Sequence, residues 1–201
     1  MIMEKTLISA EDLLEDSFRL GMNILESGFK PSIIVAIWRG GAPVGMAVQE
    51  ILSYCRLQCD HIAIRTSSYE RGAYSNNEVV IHGLGYVIEK ITNKDKILIV
   101  DDVFDTGHTI KAVIESIRKR SGDNCPKDIR SAVPWFKPLK NKTDISPDYY
   151  LRETSDWLVF PHELDSLNLE EMKEFRPDLY NIFEDEIVKN DLKIKNQVDS
   201  N

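Results

Sequence analysis

Six residues within a stretch of nine could do chemistry together: Asp101, Asp102, Asp105, Thr106, Gly107 and Thr109 of "DDVFDTGHT". A glycine-containing loop flanked by hydroxyls and opening a helix aims several unpaired backbone N–H donors at one point, and its natural guest is a phosphate. Capping of that helix by Thr106 or Thr109 would explain the threonines more simply. The adjacent carboxylates of Asp101 and Asp102 repel each other unless a cation or a polyhydroxylated ligand lies between them. A Mg²⁺ ion with a sugar diol meets that need, since Mg²⁺ is usually held by few carboxylates plus ligand oxygens. The spacing therefore suits a ribose 5-phosphate.

Positioning these groups requires a strand before them and a helix after. Ile97 to Val100 is a continuous apolar run, as expected of a strand covered on both faces. Ile110, Val113, Ile114 and Ile117 form the stripe of the following helix. "SIIVAI" (32–37) predicts a second strand, followed by the loop "WRGGAP" and a helix from about Val44 to Tyr54. "HIAIRT" (61–66) and "DIRSAVPWFK" (128–137) read as strands, and "YYL" and "WLVF" as two short ones. Ser9 with Asp12 marks a helix start; Leu14, Phe18, Met22 and Leu25 are its expected apolar face, and Gly28 its end. The tail predicts helix broken at Pro177, with Phe175, Tyr180 and Phe183 in need of a covering surface, and fraying beyond residue 190. Alternating strands and helices imply an α/β fold with a twisted, mainly parallel sheet, whose ligands sit at the carboxyl ends of the strands. Both "WRGG" and "DDVFDTGHT" fall there.

The bulk numbers are compatible. A chain of 201 residues, 42% hydrophobic, suits a single domain. Three cysteines without a CxxC pair support neither a disulfide framework nor a zinc site. No apolar run is long enough for a membrane span and the acidic N-terminus is unlike a signal peptide, so a cytoplasmic location is expected. A net charge of −8 argues against general nucleic-acid binding but not against one small phosphorylated ligand.

"ILIVDDVFDTGHT" resembles the 5-phosphoribosyl-1-diphosphate (PRPP) binding motif of the type I phosphoribosyltransferases. The resemblance implies that fold for residues 1–201, with a core at about 30–137 and a small hood built from C-terminal segments. It also implies Mg²⁺ as cofactor, PRPP as donor substrate and a homodimer or homotetramer. Asp101, Asp102, Asp105, Thr106, Gly107, His108 and Thr109 would bind PRPP. "WRGGAPVG" resembles the family's pyrophosphate loop, with Arg39 neutralising the leaving group and Gly40 and Gly41 allowing close approach. The family pattern puts a cis peptide, where there is one, at Arg39–Gly40. "TSSYERGAYSNNEVV" stands where the family has a loop closing over the reacting centre, with Ser68 and Tyr69 as its Ser-Tyr pair.

"WFKP…DYYLRETSDWLVFPHE" is similar to the 6-oxopurine members, above all the xanthine–guanine type. That similarity makes Lys137 a donor to the purine O6, Trp157 a stacking platform and the Leu158 backbone a reader of the Watson–Crick edge. Asp105 would handle the N7 proton, and Glu163, with Asp101 and Asp102, would contact metal. His162 replaces the family's tryptophan in this segment. His61, His82 and His162 lack ligand spacing and are expected to be structural or surface residues. A different acceptor base, or a non-catalytic PRPP sensor, also accommodates these motifs.

Overall fold

A computed structural model describes residues 5–68, 79–165, 167–182 and 186. The chain runs β1 (Lys5–Leu7), α1 (Ala10–Glu26), β2 (Ile33–Trp38), α2 (Gly41–Tyr54), β3 (Asp60–Ser68), β4 (Val79–His82), α3 (Gly85–Lys90) and β5 (Lys96–Val100). It continues through β6 (Val103–Phe104), α4 (His108–Ser121), β7 (Asp128–Phe136), β8 (Tyr149–Glu153), β9 (Trp157–Val159) and α5 (Leu169–Phe175).

Aliphatic runs put β2 and β5 side by side at the centre of a seven-stranded sheet ordered β4-β3-β2-β5-β7-β6, with β8 also paired to β7. Every pairing is parallel except β3 with β4. Ile97, Ile99, Val113 and Ile117 lie in the core on one face, and Leu20, Ile24, Ile34, Val48 and Leu98 in the core on the other. Burial on both faces explains the unbroken apolar runs. Pro134 has no N–H to donate, and it sits where the partner of β7 changes from β5 to β6. The carboxyl ends of β2, β5 and β7 therefore lead into residues 39–40, 101 and 137 along one rim.

Two expectations about the helices need correction. Helix α1 starts at Ser9, whose Oγ accepts from the Asp12 N–H at 3.0 Å, and ends at Gly28 with φ 76°. Its buried face is Leu13, Asp16, Ser17, Leu20, Gly21 and Ile24, however, and Leu14 is 49% exposed. The true face contains two polar residues: Asp16 is paired with Arg152 at 2.9 Å and Ser17 Oγ donates to the Leu13 carbonyl at 2.6 Å. An apolar-only stripe rotates past them. At the other end, α5 stops at Phe175 and a further helical stretch runs over 177–182, so the break falls beside Pro177 as expected. Tyr180 needs no outside partner, since only 7% of it is exposed. Phe183 and the 190–201 tail lie outside the described residues.

β1 was not foreseen. It pairs in parallel with β9, Lys5 to Trp157 and Leu7 to Val159, in a separate two-stranded sheet, so an N-terminal strand joins the C-terminal segments expected to form the hood.

Candidate active site

The phosphate loop forms as its composition demands. Gly107 has φ 81° and precedes α4; a Cβ there would lie 2.6 Å from both the Phe104 ring and Thr143 Oγ1, so only glycine fits. The N–H groups of the first turn of α4 have no intrahelical acceptor and face outward. Behind the loop, the Lys142 N–H donates to the Thr106 carbonyl at 3.0 Å, and Lys111 pairs with Asp144 at 2.6 Å. Residues 141–144 thus brace the turn. Asp101, Asp102, Asp105, Thr106, Gly107 and Thr109 line a cavity of about 200 Å³, and His108 starts α4 beside it.

The two adjacent aspartates face different partners. The Asp101 carboxylate accepts from the N–H groups of Asp102 (3.0 Å) and Gly41. Burial, with the charge of Asp102 beside it, raises its pKa well above the usual carboxylate range. Asp102 is buried, and its Oδ2 lies 3.0 Å from Nε2 of His162. Gly40 and Gly41 are cornered by this arrangement. A Cβ on Gly40 would fall on the Asp102 carboxylate, and one on Gly41 on the Val100 carbonyl. Neither glycine has a positive φ. Their hydrogen side chains let the loop after β2 lie flat against the end of β5.

The cis peptide is at Trp38–Arg39, one residue earlier than expected. Gly40 already has helical angles, φ −60° and ψ −39°, so the chain leaves the strand before it reaches the glycines. Arg39 is largely exposed and 3.5 Å from Asp165.

Lys137 follows β7 directly. Its side chain is only 5% exposed, and Nζ donates to Asp105 Oδ2 at 3.0 Å, joining the proposed base-recognition residue to the phosphate loop. The same ammonium stands 5.9 Å from the centre of the Trp157 ring, which is 42% exposed. Val159 accepts from the Ile8 N–H at 3.0 Å, so Val159 and Trp157 turn their backbone towards β1. Alternation along a strand then directs the Leu158 N–H and C=O to the opposite edge of β9, which pairs with no other strand among the described residues. Arg39, Gly40, Gly41, Asp101, Asp102, Asp105, Thr106, Gly107, His108, Thr109 and Lys137 thus all stand along one rim of the sheet.

Two expected residues are less fully placed. Ser68 closes β3, and Tyr69, with the rest of the proposed closing loop to residue 78, lies outside the described residues. His162 is the functional candidate that spacing missed. Its ring stacks on Phe160 at 5.5 Å and 15°, and its ligand atom groups with those of Asp102 and Glu163 within 4.8 Å. Only its adjacency to Glu163 in sequence could have signalled this. The pKa of Glu163 is itself raised, by burial and then by Asp102.

The fold and the rim together define the class, and residues 9–167 match the phosphoribosyl transferase domain family. The chain belongs to that family. Within it, the chain is 29% identical over 187 residues to the hypoxanthine-guanine phosphoribosyltransferase of Lactococcus lactis, covering 89% of this chain and 94% of the relative. Its fold is similar to the purine phosphoribosyltransferase of Pyrococcus horikoshii, at TM-score 0.63 and 29% identity, covering 83% and 98% of the two chains. It is also similar to the xanthine-guanine-hypoxanthine phosphoribosyltransferase of Helicobacter pylori, at TM-score 0.62 and 24% identity over 85% and 99%.

Proposed function

We propose that the chain transfers the 5-phosphoribosyl group of PRPP to a 6-oxopurine (hypoxanthine, guanine or xanthine), releasing pyrophosphate and serving purine salvage. The buried Lys137 carries this reading, because its ammonium bridges Asp105 and the Trp157 ring at the rim. An ammonium offers donors only. It matches the O6 of an oxopurine and leaves the amino group of adenine without an acceptor. Relatives named for hypoxanthine and guanine support the same acceptor class.

The 5′-phosphate sits on the N–H groups of residues 106–109, with the hydroxyls of Thr106 and Thr109 beside them. Asp101 and Asp102 read the ribose diol, and Trp157 stacks on the base while the free edge of Leu158 reads its far side. In the reaction the C1′–O bond breaks with its electron pair leaving on pyrophosphate, and N9 closes on C1′. The N7 proton passes to Asp105, while Lys137 holds O6. Arg39 balances charge on the departing diphosphate, and the Ser68–Tyr69 segment excludes water from the cationic ribose. Mg²⁺, held by Asp102 and Glu163, would supply further charge neutralisation at the diphosphate; Asp101, expected to join them, turns its carboxylate to the N–H groups of Asp102 and Gly41 instead and is not in that group of ligand atoms. The chain would act as one domain in the cytoplasm; among the described residues, no helix is long and apolar enough to cross a membrane. Exposed Trp38, Met46 and Tyr54, on β2 and α2, support self-association as a homodimer or homotetramer.

Incubation with PRPP, Mg²⁺ and each oxopurine should yield equimolar pyrophosphate and nucleoside 5′-monophosphate. PRPP binding without product from any of the three would overturn the reading.

A further inference from the structure

We infer that Asp102, His162 and Glu163 form a divalent-cation site with a nitrogen ligand, which selects Mn²⁺ over Mg²⁺. The inference rests on the reading above, because the ion would lie beside the proposed PRPP site, but it adds a ligand and a metal preference.

Geometry is the first argument. Two donors about 2.1 Å from one ion and at right angles to each other lie about 3.0 Å apart. His162 Nε2 and Asp102 Oδ2 are separated by 3.0 Å, and a Glu163 oxygen completes a set within 4.8 Å. Trans donors around the same ion would stand about 4.2 Å apart, so a small side-chain rotation closes the set.

Preorganisation is the second. Phe160 stacks on the imidazole and holds its plane. His162 Nδ1 is buried without a hydrogen-bond partner among the described residues. No donor pins Nδ1 as an acceptor, so the tautomer that ligates through Nε2 is not blocked, and its Nδ1 proton has no acceptor among the described residues. Gly40 leaves the space that the Asp102 carboxylate fills, so the first ligand is fixed by backbone packing.

Chemistry sets the preference. Mg²⁺ takes oxygen ligands, whereas an imidazole beside two carboxylates favours first-row transition ions.

Mn²⁺ alone, titrated into the full-length protein without PRPP and followed by electron paramagnetic resonance, should occupy one site with ¹⁴N coupling from the imidazole. His162→Gln and His162→Asn should each weaken Mn²⁺ roughly tenfold or more, while Mg²⁺, read by competition, moves by less than about threefold. Mn²⁺ bound without ¹⁴N coupling, bound as tightly by both variants as by the unmodified protein, or not bound at all would overturn the inference. Transfer from PRPP is scored separately. Turnover without nitrogen-coupled Mn²⁺ sinks this site alone, and nitrogen-coupled Mn²⁺ without turnover sinks the enzymatic reading and leaves the site standing.

Discussion

The loop proposed for phosphate and the segments proposed for the base are built in opposite ways. The loop is contiguous: Asp101 to Thr109 come from one strand–turn–helix passage, and its glycine is required by φ 81° and by Phe104. The segments proposed for the base include β9, at residues 157–159, which pairs with β1, at residues 5–7, about 150 positions away. Lys137 lies between the loop and these segments, hydrogen-bonded to Asp105 on one side and 5.9 Å from the centre of the Trp157 ring on the other. A site made from one short passage can hold the ligand part that the whole family shares. A site made from distant segments can be altered without disturbing it. On the proposed assignment, donor binding and acceptor choice should therefore be separable.

Asp105→Asn should do the most damage. It removes the proton acceptor while sparing the backbone that holds phosphate, so kcat should fall about 10²–10⁴-fold. PRPP affinity, measured by calorimetry, should change little; a parallel collapse of PRPP binding would show that the two regions do not separate. Gly107→Ala sharpens the other side. The new Cβ meets Phe104 and Thr143 at 2.6 Å in a left-handed turn, costing about 1–3 kcal/mol of stability and weakening PRPP binding. Thermal melts with and without PRPP check this.

Trp157→Ala acts on the hood alone. Loss of one stacking platform is worth about 1–3 kcal/mol, roughly a 5–150-fold rise in the KM for base with the KM for PRPP unmoved. Equal rises in both would break the separation.

The smallest effect lies far from either region. Hydrogen bonds from Lys90 and then Tyr86 lower the pKa of Asp60 to about 2. A depressed carboxyl stabilises the fold above its unfolded pKa of about 3.9 and loses that contribution as pH falls towards 2. The pair is solvent-screened, so Asp60→Asn should cost under about 1 kcal/mol at pH 7 and clearly less near pH 2, by denaturant titration at both.

The same contrast explains what could be read from sequence. The central strands and the phosphate loop were legible because each is specified by its own residues: apolar runs for β2 and β5, a turn glycine and a helical stripe for α4. β1 was not, since "KTL" carries no periodicity and forms a strand only because β9 is there to pair with it. The face of α1 was missed by one residue because Asp16 is buried by its ion pair with Arg152, a partner 136 positions away. His162 was dismissed for lack of spacing, although its partner Asp102 is 60 positions distant. The cis peptide lies at Trp38–Arg39, one residue before the expected bond, and no feature of the sequence marks that position.

The most direct test is acceptor discrimination by the unmodified protein. Initial rates of nucleotide formation from PRPP would be measured with hypoxanthine, adenine and orotate offered separately. A hood read through Lys137 and Trp157 predicts inosine monophosphate from hypoxanthine and negligible product from the other two. Comparable turnover of adenine would contradict the role given to the Lys137 ammonium, and with it the division between donor loop and acceptor hood.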